Sequence, residues 1–276
     1  MFLDILLKGY GSVVASPDGS FFVVCENDKK IEVSFGDLDA KACKIESKSN
    51  NNIFFPEGIE GLFQEKYFFS APLAKATGSD LIMKEGLSVS SDALSFSTKG
   101  IASFDKKGLI VLEGPDTKIN YSGSQMHTQK LVIENENIFL YGDSFFENDL
   151  FSFSSEGPIY YWTYEEKDVL SAKNFDSFEY SFNEKEVLDI KGKDFLMYFY
   201  KNDQLLLRVA EFSLVFNDYS FFSENVSIQK FEDFLHIRSI QGEMEIKNEK
   251  NSIYAKEIIL FDDFSWKATN GVRVVF

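Results

Sequence analysis

Alternation of apolar and polar residues is the feature that most limits what this chain can fold into. It recurs along the sequence: Ile119 and Tyr121; Leu131 and Ile133; Phe212, Leu214 and Phe216; Leu235 and Ile237; Met244 and Ile246; Ile258 and Leu260. Side chains two residues apart share one face of a strand, so each run dictates a strand with one apolar face. Helical spacing is never sustained over three turns. The 30 Phe and 12 Tyr point the same way, because aromatic residues pack well on a pleated, half-buried surface. Between the runs lie polar turns: ENDKK at 26–30, ENEN at 134–137, NEK at 183–185, KND at 201–203, NDY at 217–219 and KNEKN at 247–251. Asn and Asp tolerate the left-handed backbone and bond their own main chain, so these segments are expected hairpin or corner turns.

A motif repeats within this pattern. A small residue, two variable positions, an apolar residue, one variable position and another apolar residue occur from Ala40, Ser91, Thr128, Val209 and Ala255, with a looser copy from Ala172. Most copies are followed by a polar turn and a Gly or Asn near an apolar residue. Irregular spacing of such units suggests a stack whose corner loops vary in length, as in solenoids and elongated β-jellyrolls. A pair of short strands cannot bury its apolar face alone, so the units are expected to stack into one continuous apolar interior. Residues 1–276 are read as one continuous β stack, with candidate breaks into two lobes near 77–80 and 155–158, both rich in turn residues.

Composition excludes several functions. The net charge of −16, from 44 acidic against 28 basic residues, repels phosphate backbones, so no nucleic-acid partner is expected. The only histidines, His127 and His236, have no second His at metal-ligand spacing, and no Gly-x-Ser-x-Gly elbow, P-loop or dinucleotide fingerprint is present. No metal, cofactor or catalytic residue is expected, and the chain is read as non-enzymatic. The acidic pairs Asp262-Asp263 and Glu165-Glu166 are unsurprising among so many acids, and Asp262-Asp263 falls where a turn is expected. Cys25 and Cys43 either form one disulfide or are two separate buried thiols. The N-terminal MFLDILLKGYGS lacks the basic segment and long apolar core of an export signal. In the adjacent aromatic pairs at 21–22, 54–55, 68–69, 145–146 and 221–222, successive strand residues point to opposite faces, so at most one of each pair lies inside.

The run LEGPDTKINYSGSQMHTQKLVIENENIFLYGDSFF, Leu112 to Phe146, resembles the OstA-like lipopolysaccharide-transport family. That family's pattern is a strand ending in Gly, a second strand, a small residue ahead of a Leu-x-Tyr pair, an Asn/Asp/Glu turn and a Gly-led strand. Glu113-Gly114, Thr128, Leu131, Ile133, Asn135-Glu136 and Gly142 occupy those positions, with Ile133 in place of the usual Tyr. The resemblance implies an all-β, elongated, twisted, V-shaped β-jellyroll, a solenoid-like stack of antiparallel strands located in the periplasm or cell envelope. It also implies a groove for an amphipathic lipid or glycolipid, and joining to like copies or other envelope-transport proteins through end strands. The residues expected to face that groove are Ile119, Tyr121, Leu131, Ile133, Phe212, Leu214, Phe216, Ile246, Ile258 and Leu260. The competing expectation is a scaffold with a filled interior that assembles edge to edge without lipid.

Overall fold

The computed structural model describes residues 5–49, 52–77, 80–135, 137–149, 151–164, 167–183, 186–200, 205–231, 233–263 and 265–275. Among the described residues every regular element is a strand, and all pairings are antiparallel. The protein is therefore all-β and jellyroll-like. It divides into two compact units, Met1–Asn135 and Glu136–Phe276. The division falls in the turn after Glu134. Residues 155–158 form a corner inside the second unit, and residues 78 and 79 lie outside the described residues.

In the first unit one sheet runs through β1 (Ile5–Lys8), β4 (Ile31–Phe35), β5 (Leu38–Ala42), β8 (Ile59–Phe63), β9 (Tyr67–Ala71), β12 (Leu87–Ser90) and β13 (Leu94–Thr98). The second runs through β2 (Gly11–Ala15), β3 (Phe21–Cys25), β6 (Lys44–Ser49), β7 (Asn52–Phe55), β10 (Leu73–Thr77), β11 (Asp80–Lys84) and β14 (Ile101–Phe104). Two long strands, β15 (Ile110–Tyr121) and β16 (Ser124–Glu134), cross from one sheet to the other, with an irregularity between Glu113 and Thr117. The chain makes a hairpin in one sheet, turns a corner, and makes its next hairpin in the other.

The second unit repeats this plan. One sheet contains β17 (Asn137–Tyr141), β20 (Ile159–Tyr164), β21 (Lys167–Lys173), β24 (Asp194–Tyr200), β27 (Phe234–Ser239), β30 (Glu257–Phe261) and β31 (Trp266–Thr269). The other contains β18 (Ser144–Glu147), β19 (Phe151–Ser155), β22 (Phe175–Asn183), β23 (Glu186–Lys191), β28 (Met244–Lys247), β29 (Ser252–Ala255) and β32 (Arg273–Val275). The long strands β25 (Leu205–Phe216) and β26 (Tyr219–Lys230) pair into both sheets.

The corners explain most of the repeated motif. Within strands, buried residues alternate with outward ones, but at six corners they are three apart: Ala42 and Ile45, Ala71 and Ala74, Thr128 and Leu131, Ala172 and Phe175, Val209 and Phe212, Ala255 and Ile258. Two consecutive outward residues shift the parity by one, which keeps the apolar set facing inward as the chain passes between sheets. The inward residue entering the corner is small or β-branched because the sheets converge there. Copies from Thr128, Ala172, Val209 and Ala255 are these corners in register. The copy from Ala40 is two residues out of register, since its corner begins at Ala42, and the copy from Ser91 is the hairpin turn before β13. Cys25 and Cys43 are joined as a disulfide linking the end of β3 to the β5–β6 corner, with Cα atoms 4.8 Å apart.

Candidate functional site

The ten residues expected to line a groove fall into two sets, one in each unit. In the first, Ile119 lies in the first sheet beside Phe96 and Met126, while Leu131 and Ile133 follow the β16 corner and pair with Leu112 and Ile110. All three are buried. Tyr121 differs from its expected place: it sits at the β15–β16 hairpin opposite Ser124 and is only half-buried. In the second unit Phe212, Leu214, Phe216, Ile246, Ile258 and Leu260 are all buried. Full burial of such a side chain stabilises by about 1.5–3 kcal/mol, so these positions support the fold whatever else they do.

These interiors are filled by rings. In the first unit Phe104 of the second sheet meets Tyr67, Phe63 and Phe96 of the first at centroid distances of 5.3, 5.9 and 6.0 Å. Beside them, Gln64 Nε2 in the β8–β9 turn donates to the backbone oxygen of Asp105 in the β14–β15 turn at 2.9 Å. That bond links hairpins of opposite sheets on the side away from the corners. In the second unit Phe195 meets Phe153 and Phe175 edge-on, each at 5.0 Å. Of the adjacent Phe pairs, Phe55, Phe69, Phe146 and Phe221 point inward, while Phe54, Phe68, Phe145 and Phe222 are exposed. Phe21 and Phe22 are both half-buried.

The edges of the sheets are open. Among the described residues β1 pairs only with β4 and β2 only with β3, while in the second unit β31 pairs only with β30 and β32 only with β29. Every residue of β2 is exposed, with Val13 at 62% and Val14 at 64%, and the strand GSVVA carries no charge and no proline. All of β32 is exposed as well. Edge strands are ordinarily protected by charges, prolines or bulges, and β2 has none of these. Arg273 of β32 is held from one side: its guanidinium lies 4.5 Å from the Tyr254 ring centroid and 3.3 Å from Glu243. The Tyr254 hydroxyl donates to Glu245 Oε1 at 3.1 Å, and this bond raises the phenol above its usual ionisation range.

The other titratable groups organise surface and turns. His236 Nε2 lies 3.6 Å from Glu257, which Arg238 also approaches at 3.6 Å. Asp263 accepts from the Ser265 backbone and hydroxyl, which lowers its carboxyl below the usual range and caps the β30–β31 turn. Glu165 and Glu166 lie outside the described residues. No group of three His, Cys, Asp or Glu side chains among the described residues is arranged to hold a metal ion. No protein-family model matches the chain, and a comparison with curated proteins finds no match.

Proposed function

We propose that this protein is a non-enzymatic structural module of the cell envelope that assembles edge to edge, the β2 edge of one copy adding to the β32 edge of the next. The observation that carries this reading is β2: a fully exposed, uncharged, valine-bearing edge strand without any protective device. Strand addition supplies main-chain hydrogen bonds, and the valines supply apolar contact. Joining two different edges makes a heterologous interface, which propagates into a chain of copies unless rotation closes it into a ring. The resemblance of residues 112–146 to the OstA-like family is what favours an envelope location for this assembly.

Sedimentation velocity tests the reading. Wild-type protein should show concentration-dependent assembly that Val14→Lys or Val274→Lys blocks. A mixture of the two variants should recover a single heterologous contact, since each keeps the edge that the other lacks. A wild-type chain that stays monomeric at all concentrations, or assembly indifferent to both substitutions, refutes the proposal.

Carriage of an amphipathic lipid is the second reading. It is favoured by the continuous run of apolar side chains inside each unit, including Leu131 and Leu214. It requires the Phe104 ring cluster and the Gln64–Asp105 bond to open, because an acyl chain gains about 0.8 kcal/mol per CH2 only on leaving water for an apolar space, and the rings occupy that space. An acylated species retained in native mass spectrometry supports carriage, and lipid-free oligomers leave the scaffold reading alone.

A further inference from the structure

The outward face of the first sheet in unit 1 is built differently from an ordinary solvated sheet. Strand register places outward residues in rows that cross β4, β5, β8, β9, β12, β13, β15 and β16. In one row Ser70, Ser88 and Ser97 are consecutive partners; in the next, Phe68 is followed by Ser90 and Ser95 and then by Asn120 and Gln125. Five short side chains in the middle, with longer ones to either side, leave an open cleft of about 990 Å³. At about 4.8 Å per strand it extends roughly 30 Å across the sheet, which suits a chain-like ligand better than a single small molecule. Phe68 is 62% exposed and stands beside Leu62, so one apolar ring face lies open in an otherwise hydroxylated strip.

The chemistry of the lining narrows the occupant. The hydroxyls of Ser70, Ser88, Ser90, Ser95 and Ser97 and the amides of Asn120 and Gln125 have no side-chain hydrogen-bond partner among the described residues. Each hydroxyl can donate and accept, and each amide offers both kinds of group. The charged residues at the far end are mutually engaged: Lys41 lies 3.9 Å from Glu32, Glu60 lies 2.8 Å from Lys30, and Asp39 accepts from Ser34 at 2.6 Å. Among the described lining residues Lys118 alone is a cation without a carboxylate partner, on a chain of net charge −16, so polyanions are disfavoured. Only Leu62 and Phe68 among the outward side chains are apolar, too few for an acyl chain. A peptide strand would seek free backbone groups, which lie at sheet edges and not on this face.

We propose that this face binds an uncharged polysaccharide chain laid across the strands. Phe68 stacks on the apolar C–H face of one sugar ring, while the serine rows, Asn120 and Gln125 exchange hydrogen bonds with sugar hydroxyls along the strip. The charge balance of the cleft matches such a ligand: engaged ion pairs at one end and neutral, unpartnered hydrogen-bonding groups through the centre.

Isothermal titration calorimetry on the full chain tests this with cellohexaose, chitohexaose, maltohexaose and mannohexaose, against hexagalacturonate as the anionic comparator. At least one neutral hexasaccharide should bind with a dissociation constant of about 1 mM or tighter. Phe68→Ala should weaken that binding at least about tenfold, since it removes the only aromatic face in the strip. Ser88→Arg should abolish it by filling the centre, whereas Phe145→Ala, an exposed Phe outside the cleft, should leave it unchanged. The substituted positions are exposed, so unchanged melting curves verify that the variants fold. The proposal is overturned if no neutral hexasaccharide binds, if the two cleft variants bind as the wild type does, if hexagalacturonate binds tighter, or if binding appears only with sugar carried on glycolipid vesicles. Assembly through β2 and β32 is read separately by sedimentation, so either idea can fail without the other.

Discussion

Replacing Gly100 with Ala tests the packing of the corners directly. Gly100 follows β13 and lies back to back with Gly114 at the irregularity in β15. A Cβ on Gly100 would run into the carbonyl oxygen of Glu113, with Gly114 Cα at 2.6 Å and Glu113 C at 2.8 Å. Every one of these atoms is backbone, so no side chain can rotate away. Relief requires the two corners to separate, which strains the hydrogen bonding of the Thr117 hydroxyl, whose single proton is shared between Thr98 Oγ1 at 2.9 Å and the Gly114 oxygen at 3.0 Å. Overpacking of this kind costs about 1–3 kcal/mol, and weakening one such bond about 0.5–1.5 kcal/mol. The alanine recovers about 0.4–1 kcal/mol by restricting the unfolded chain. The net expectation is a loss of about 2 kcal/mol, which lowers the midpoint of thermal unfolding by about 8 °C for a unit of this size. Gly108→Ala is the comparison: its φ of +80° penalises a side chain by about 1–2 kcal/mol, yet nothing lies within 4 Å of the added carbon. Thermal and urea unfolding of both variants decide the matter. If Gly100→Ala is neutral or stabilising, the close approach of these corners is wrong.

Other consequences are also open to measurement. The Cys25–Cys43 disulfide closes a loop with a sequence separation of 18, so its reduction should destabilise the first unit by about 3 kcal/mol in the chain-entropy account. The second unit has no cysteine and should unfold unchanged; equal urea midpoints with and without reductant would count against the link as a stabiliser. Tyr254 should ionise above the ordinary phenol value of 10.0, because its hydrogen bond to Glu245 favours the neutral form. Its contribution to stability is then fully present below the unfolded-state value and is lost as pH rises through the folded-state value. Ultraviolet difference titration of the wild type against Tyr254→Phe isolates this phenol, and ionisation at or below its ordinary value contradicts the assignment.

Much of this architecture was legible in the alternation, and the parts that were not have identifiable causes. Asn217 and Asp218 form a two-residue hairpin between Phe216 and Tyr219, with Asn217 at a φ of 53°, as their turn chemistry predicts. Asn248 likewise caps its turn, its side chain accepting from the backbones of Lys250 and Asn251. The segment 26–30 is a corner between sheets, one of the two geometries expected of it, with Asn27 and Asp28 in the left-handed backbone. Residues 201–203 lie outside the described residues. The corner at Ala71 is not among the motif copies: its inward residues Ala71, Ala74 and Ala76 are all alanines, which give little apolar contrast in the sequence. Nine of the ten expected interior residues are buried, since strand parity places them, and Tyr121 departs because parity fixes the face a side chain takes and not how deeply a strand end is covered: Phe216 also ends its strand and is buried.

The cleft left a trace of another kind, in the half of the alternation that a search for the core discards. Leu87, Val89, Leu94 and Phe96 point inward, and the fold restricts them to apolar types of suitable size. Ser88, Ser90, Ser95 and Ser97 occupy the intervening positions, where the fold demands only that the residue tolerate a strand. Serine gains little there by propensity, and a solvated face would be served as well by the Lys, Glu and Thr found on outward positions elsewhere. On the other sheet of the same unit the equivalent outward row runs Val14, Phe22, Glu46, Phe54, Lys75, Ile82, Ser103, Val111 and Val132, six apolar residues interleaved with one acid, one lysine and one serine. The inward parity thus encodes how the two sheets close on each other. The outward parity is free of that constraint, and the uncharged serine rows of the first sheet are where selection for binding would be recorded.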